Sequence, residues 1–390
     1  MADNSNRLIL LCGLFALLLS LGVAQRHSST DLETLTMLTT SNTSETQTDL
    51  AYTLRITLNN LGNNQYLGNV SIGSNKVPLS VVFDTSFQWL WVSQDNENTR
   101  PIRIQNKRFI CHESETCQLL NSEMSNYTYR SSQISGYLLS DTIFLGQDSV
   151  SVENLTILLG LEHSNQPNIS SFGVLGLGFP TMSVAGSFFD LLYNQGKIKK
   201  RMFSIYLADN PNSWNVGDSE ILFGGYNSSR FRGNVTFASL VDEDSWAVNL
   251  LDMQFGNTSV LKQFEEKIAE ESPNPEFSAL IDTGSNLLVF PASVVNSIIA
   301  HLKTEHDIDC YYMNENLPYC DCSIDPMQEF PNITIRLENQ NLTLGPSAYV
   351  RKNEQSCNLL LNALDAEDDQ TRWRFGSAFL RTYYTIFDAD

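Results

Sequence analysis

Basic side chains are scarce in this sequence: 24 Lys and Arg stand against 44 Asp and Glu, for a net charge of -20. Nucleic acid is thereby excluded as a partner, because binding a phosphate backbone needs an array of cations. A surface this poor in cations gains little positive charge as pH falls, which suits an acidic compartment. Long apolar runs are also missing. The longest, Leu8 to Leu21, falls short of the roughly 20 residues that span a bilayer, so no membrane span is expected in the mature chain. The five histidines, His27, His112, His163, His301 and His306, form no His-Glu-x-x-His zinc helix, and no Gly-x-Ser-x-Gly elbow occurs. The Cys320-Asp-Cys322 step has no second pair and no nearby His to complete a zinc site. No metal and no cofactor are expected.

What is present begins with a secretory pattern. Arg7 precedes the apolar run, and Gly22-Val23-Ala24 supplies the small-residue exit, placing a signal peptide at 1–24 with cleavage after Ala24. With Cys12 inside that segment, six cysteines remain: Cys111, Cys117, Cys310, Cys320, Cys322 and Cys357. An even set in an oxidising compartment predicts three disulfides. Asn-x-Ser/Thr triplets are dense, at Asn42, Asn69, Asn126, Asn154, Asn168, Asn227, Asn234, Asn257, Asn332 and Asn341. They predict N-glycosylation on solvent-facing segments. The expected location is the secretory pathway, ending outside the cell or in a lysosome or vacuole.

At 390 residues, 42% of them hydrophobic, the chain exceeds one ordinary domain and two lobes are expected. Residues 25–62, rich in Ser and Thr, read as a leader or prosegment with few contacts. Beyond them, short alternating runs such as Tyr66 to Ile72 and Leu79 to Phe83, broken by Gly, Asn and Ser, predict a mostly β architecture. Helices are sparse. One is predicted over Ser187 to Gln195, stopped at Gly196, and one from Ala292 to about Lys303, opened by Pro291. A third, acidic, over Leu261 to Glu271 is expected to be a surface insertion.

The informative feature is an internal echo. Val81-Val82-Phe83-Asp84-Thr85 precedes Trp89-Leu90-Trp91-Val92, and Leu280-Ile281-Asp282-Thr283-Gly284-Ser285 precedes Leu287-Leu288-Val289-Phe290. Each copy is followed by an apolar-Gly element, Val174-Leu175-Gly176 and Arg374-Phe375-Gly376. The repetition suggests duplicated β lobes with one acidic turn each. Two carboxylates brought together cannot both ionise cheaply, so such a pair holds one proton between them. The ionised member can then take a proton from water while its partner donates to a peptide carbonyl oxygen. Thr85 and Thr283 can tie the turns together, and Gly284 permits close backbone approach.

From about Tyr66 onward the chain resembles the pepsin-like aspartic peptidases, the family that includes cathepsin D. Besides the two Asp-Thr turns, the resemblance rests on the stretches 66–73, 172–180, 203–207, 221–225 and 379–388. It implies a bilobal, mostly β acid-protease fold, with a cleft for an extended polypeptide substrate covered by a β-hairpin flap. The lobes would be 63–202 and 203–390, the second without the last strand that the family normally has. Asp84 and Asp282 become the catalytic pair, supported by Thr85, Thr283, Gly284 and Ser285. Tyr129 becomes the flap tyrosine, with the Trp91 indole as its hydrogen-bond partner. Val82, Val174 and Leu280 are candidate subsite walls. Cys111–Cys117 matches a small family loop and Cys322–Cys357 the second-lobe bridge, which leaves Cys310–Cys320 as an additional pair. A monomer is expected.

The sequence departs from the family pattern at the first turn, where Ser86 replaces a glycine and Phe87 a hydroxyl-bearing residue that bonds the outer carboxylate oxygen. Losing one such bond costs about 1 kcal/mol. The flap carries Arg130-Ser131-Ser132 where glycines are usual, which adds a positive charge at the cleft mouth. The leader holds only Arg26 and Arg55 and no lysine, whereas the family's prosegments are basic. An acid endopeptidase cleaving between bulky apolar residues is the expectation; a catalytically impaired pseudo-peptidase that binds peptides is the alternative.

Overall fold

The computed structural model of the chain describes residues 7–11, 53–93, 109–130, 132–147, 149–164, 171, 173–179, 186–210, 217–312, 317–322, 329–353, 356–364 and 368–389. Most of the expected signal peptide, most of the expected leader, Asn42, Asn168 and Ser131 lie outside them.

Alternation of apolar and polar side chains, with the period of two that a pleated strand imposes, builds most of the structure. The strand Leu54–Leu61 is an instance: Leu54, Ile56 and Leu58 are buried while Arg55 and Thr57 face solvent. It pairs with Ser219–Phe223 on one side and Gln65–Ile72 on the other. Residues 54–61, expected to belong to a leader with few contacts, are thus paired into the sheet on both sides. Arg7–Leu11, inside the expected signal peptide, is also a strand, pairing antiparallel with both Val235–Ser239 and Tyr384–Asp388.

A fourteen-stranded sheet carries the first half of the chain and takes in Met202–Tyr206, Ser219–Phe223, Val235–Ser239 and Tyr384–Asp388 from the second. Sheets of five, four and four strands make up the rest of the second half. The duplication read from the sequence is visible in the pairing. Val77–Asp84 runs parallel to Gly173–Gly176, which is antiparallel to Leu90–Ser93. In the second half, Ser278–Ile281 runs parallel to Arg372–Phe375, which is antiparallel to Leu288–Phe290. In each copy an apolar strand, flanked on both sides, delivers an aspartate to the end of a parallel pair.

The core is dominated by large aromatics. Phe203 stacks on Phe387 with ring centroids 4.6 Å apart, and Trp246 lies edge-on to both. The Trp246 indole donates to the Leu177 carbonyl at 2.9 Å, tying the second half to the first. Burying each such ring contributes roughly 1.5–3 kcal/mol.

The helices follow local signals. Phe188–Asn194 is capped by Ser187, whose side chain accepts from the Asp190 amide, and the chain turns off at Gly196 with φ +67°. Ala292–His306 starts at Pro291 and stops at Asp307 in the left-handed region. The third helix, Val260–Ile268, buries Val260, Leu261 and Phe264. It is a packed element and not a surface insertion, because its apolar residues fall on one face. Disulfides join Cys111 to Cys117, Cys310 to Cys320 and Cys322 to Cys357. The last closes the longest loop and, on loop entropy, removes the most freedom from the unfolded chain, about 4 kcal/mol. Among the described residues, no helix is long and apolar enough to cross a membrane.

Candidate active site

Asp84 is the last residue of its strand and Asp282 follows directly on its own, so both carboxylates leave the sheets at equivalent points. Both are buried, at 0% and 1% exposure. The two turns are bolted to each other by reciprocal hydrogen bonds. The Thr85 amide donates to Thr283 Oγ1 at 2.9 Å, and the Thr283 amide donates to Thr85 Oγ1 at 3.0 Å. Each hydroxyl then donates across the interface, Thr85 to the Ile281 carbonyl at 2.5 Å and Thr283 to the Phe83 carbonyl at 2.7 Å. Four bonds of this kind, one buried and three part-buried, contribute roughly 0.5–1.5 kcal/mol each, and they set the spacing of the two acids.

Gly284 is required by space. A Cβ there would lie 2.1 Å from Asp84 Oδ2, far inside any permitted contact. The Gly284 amide donates to Asp282 Oδ1 at 3.0 Å. At the matching position of the first turn, Ser86 donates to Asp84 Oδ1 twice, from its amide at 2.8 Å and from its hydroxyl at 2.7 Å. Ser86 thus supplies a hydroxyl to the Asp84 carboxylate from one residue before Phe87, on the same oxygen as its own amide. A serine two positions after an aspartate carries this local signal in sequence, since short polar side chains close such turns. Ser285 does not support the carboxylate: its hydroxyl lies against the Leu287 backbone, 3.3 Å from the amide and 3.4 Å from the carbonyl.

The hairpin of Ser125–Tyr129 and Ser132–Leu145 folds over this pair. Tyr129 is buried, and its hydroxyl donates to Asp84 Oδ2 at 2.8 Å. Its contact with Trp91 is ring on ring, with centroids 5.7 Å apart. The hydroxyl assigned by resemblance to the indole goes to the carboxylate instead, because the hairpin lies low enough to reach it. Phe87 packs edge-on against the Tyr129 ring at 4.9 Å. Val82 and Val174 belong to a small apolar cluster with Leu67, Trp91, Tyr129, Ile134 and Leu158. Val174 is fully buried there with the hairpin down, and Leu280 is half-buried.

Arg130, at the hairpin tip, completes the site. Its Nη2 donates to Asp282 Oδ1 and Oδ2 at 3.1 and 3.2 Å and stands 3.6 Å from Asp84 Oδ2. Its Nε donates to the Tyr129 hydroxyl at 3.3 Å. Sequence reasoning places this charge at the cleft mouth; the structure brings it onto both carboxylates. The Asp282 carboxyl is pushed up from its ordinary value, chiefly by burial, while Arg130 pulls it down and the Asp84 charge raises it further. Burial, with the Asp84 charge next in weight, holds the Tyr129 phenol well above its usual range and keeps it a donor. Burial opposes the Arg130 charge, but the surrounding acids outweigh it and the guanidinium is held protonated. The arrangement can activate a water molecule between the two carboxyls. Among the described residues, no group of His, Cys, Asp and Glu could hold a metal ion.

A family model for eukaryotic aspartyl protease matches residues 65–390. The chain is similar to pepsin A of Rhinolophus ferrumequinum, 27% identical over 338 residues that cover 85% of this chain and 80% of that protein. It is similar to pepsin II-1 of Oryctolagus cuniculus, 27% identical over 335 residues, covering 83% and 78%. Cathepsin E of Rattus norvegicus is also 27% identical, over 344 residues that cover 83% of this chain and 77% of the relative. The chain belongs to the eukaryotic aspartyl protease family, the aspartic-type endopeptidases.

Proposed function

We propose that Asp84 and Asp282 are the catalytic pair and hydrolyse peptide bonds at acidic pH. One carboxyl is ionised and removes a proton from water as the water attacks the scissile carbonyl carbon. The protonated partner donates to the carbonyl oxygen, and the tetrahedral intermediate then collapses with protonation of the leaving nitrogen. The pair titrates as a unit, so neither acid carries a fixed role. The observation that carries this reading is the reciprocal Thr85–Thr283 bonding, which leaves a single guanidinium nitrogen in reach of both acids. Substrates are extended polypeptides cut between bulky apolar residues, with Leu280 as one half-open wall of the cleft. The lobes run from about 53 to 202 and from 203 onward, and the protein acts as a monomer.

The secretory reading is supported by the three disulfides and by the exposure of Asn69, Asn126, Asn154, Asn234, Asn257, Asn332 and Asn341. Asn227 is left out of the glycosylated set, because its Nδ2 donates to Glu220 Oε1 at 3.2 Å. The destination is extracellular or lysosomal. The test is hydrolysis of a denatured protein at acidic pH, with and without a statine-type transition-state inhibitor. Inhibitor-sensitive cleavage that disappears in Asp282→Asn is expected. Cleavage that survives the substitution would show that another group does the chemistry.

A further inference from the structure

The flap carries a cation where a reacting water has to sit. Arg130 Nη2 bridges the two acids, 3.1 Å from Asp282 Oδ1 and 3.6 Å from Asp84 Oδ2. It also fills the space over Gly284, where a Cβ would lie 2.7 Å from it. We propose that Arg130 is an internal latch: with the hairpin down, its guanidinium occupies the gap between the carboxylates, and substrate and water gain the site only when the hairpin lifts it away. The inference rests on the dyad reading above and adds the regulation of that site.

Three further features describe how the latch is held. Arg130 stands at φ +54°, the left-handed conformation that a two-residue turn between the paired Tyr129 and Ser132 calls for. It lies in the turn between Ser125–Tyr129, which pairs with Ser132–Leu145 alone, and that second strand, which also pairs with Val150–Ser164 as far as Gln133, so the movable part is the turn with the Ser125–Tyr129 arm. Its side chain is 31% exposed, so it is not sealed from solvent while the hairpin is down. Arg55, the described arginine of the expected leader, does not compete for the acids, since it lies 2.6 Å from Glu220 Oε2.

The latch is coupled to protons. A guanidinium bound between two acids favours their ionised state, and by reciprocity a proton taken up by the pair weakens its hold on the guanidinium. The groups that set this balance are Asp84, Asp282 and the Tyr129 hydroxyl around the guanidinium, with Arg374 acting on Asp282 from the neighbouring strand. Acid therefore loosens the flap, and neutral pH seats it. An acidic side chain on a bound peptide would compete for the same guanidinium.

The test uses the full chain with Arg130→Asn, which keeps a residue tolerant of the left-handed turn, and Arg130→Lys, which keeps the charge. The protonated-carboxyl infrared band of the pair, identified by its loss in Asp282→Asn, is followed against pH. An opposite charge at this range lowers the titration midpoint of a carboxyl by roughly 1–3 pH units. In Arg130→Asn the band should therefore persist to a pH about one unit or more higher, with Arg130→Lys in between. A statine-type inhibitor should bind Arg130→Asn about tenfold tighter than the wild type at near-neutral pH, the counterpart of one pH unit. Identical titrations and identical inhibitor affinity in wild type and Arg130→Asn would overturn the latch. Hydrolysis that is absent from wild type and Arg130→Asn alike would count against the peptidase reading, while the infrared titration still decides the latch.

Discussion

The two Asp-Thr turns have the same backbone frame and different ways of holding an acid. In the second, Asp282 Oδ1 receives the Gly284 amide and the flap guanidinium, and the Ser285 hydroxyl stays with its own turn. In the first, Asp84 Oδ1 receives both the amide and the hydroxyl of Ser86, and Oδ2 receives the Tyr129 phenol. The comparison shows that what matters at such a turn is a donor on a given oxygen, not a letter at a given position. A hydroxyl moved one residue toward the aspartate still reaches the oxygen, because the side chain two places on and its own amide converge there. The turns also divide a spatial demand. Glycine is enforced at Gly284, where the opposing carboxylate crowds the backbone, while the first turn accommodates the exposed Ser86 side chain.

The comparison can be broken most sharply at the acids themselves. Asp84→Asn and Asp282→Asn should each reduce kcat by on the order of 10²–10⁴-fold, measured as peptide hydrolysis at acidic pH. A large difference between the two would mean that the lobes do not contribute as a pair. Gly284→Ala comes next, because its Cβ would displace the Asp84 carboxylate. Overpacking of this kind costs roughly 1–3 kcal/mol, and activity should fall with stability, whereas Ser86→Ala should leave the melting temperature nearly unchanged. Thr283→Val removes a hydroxyl that donates to Phe83 and accepts from Thr85. Leaving those partners buried and unpaired costs about 1–3 kcal/mol, readable by denaturant unfolding; a neutral outcome would remove the argument that these bonds set the acid spacing.

The turns should also differ in their response to pH. The Asp282 carboxyl is raised above its ordinary value of 3.8, so the folded state holds that proton more tightly than the unfolded chain. Its stabilisation is fully present below the ordinary value and is lost as pH rises through the raised folded value. Stability should decline across that window by about 1.4 kcal/mol for each tenfold difference in proton affinity between the folded and unfolded chain. Asp282→Asn should flatten the decline, and an unaltered slope in that variant would assign it to another group. The smallest effect is expected from Ser86→Ala, which removes one hydroxyl and leaves the amide. A loss of about 1 kcal/mol in transition-state stabilisation corresponds to roughly fivefold in kcat/KM. Ser86→Ala together with Phe87→Ser, which moves the hydroxyl to the position it has in the family pattern, should recover most of that.

Much of the fold and of the acid pair is legible in the order of the residues. The paired apolar frames around Asp84 and Asp282 announce a duplicated β fold, and the helix ends at Ser187, Gly196 and Pro291 carry their own capping chemistry. Other features are hidden by distance in the chain. Leu54–Leu61 sits in a Ser- and Thr-rich neighbourhood and reads as leader until its partners, Ser219–Phe223 and Gln65–Ile72, are seen beside it. The helix Val260–Ile268 reads as surface because of its charged residues, although three apolar side chains on one face are enough to bury it.

The sequence by itself determined the alternation that makes strands, the two acidic turns, the even set of cysteines and the shortage of cations. These depend on residues within a few positions of one another, where backbone geometry and side-chain chemistry act directly. Only the tertiary structure decided that the Tyr129 hydroxyl meets Asp84, that Ser285 turns away, and that Arg130 reaches Asp282 across 152 positions of chain. Such contacts are set by how low a hairpin folds over a neighbouring turn. That height follows from the packing of Phe87, Trp91 and Tyr129 beneath it, and no local pattern specifies it.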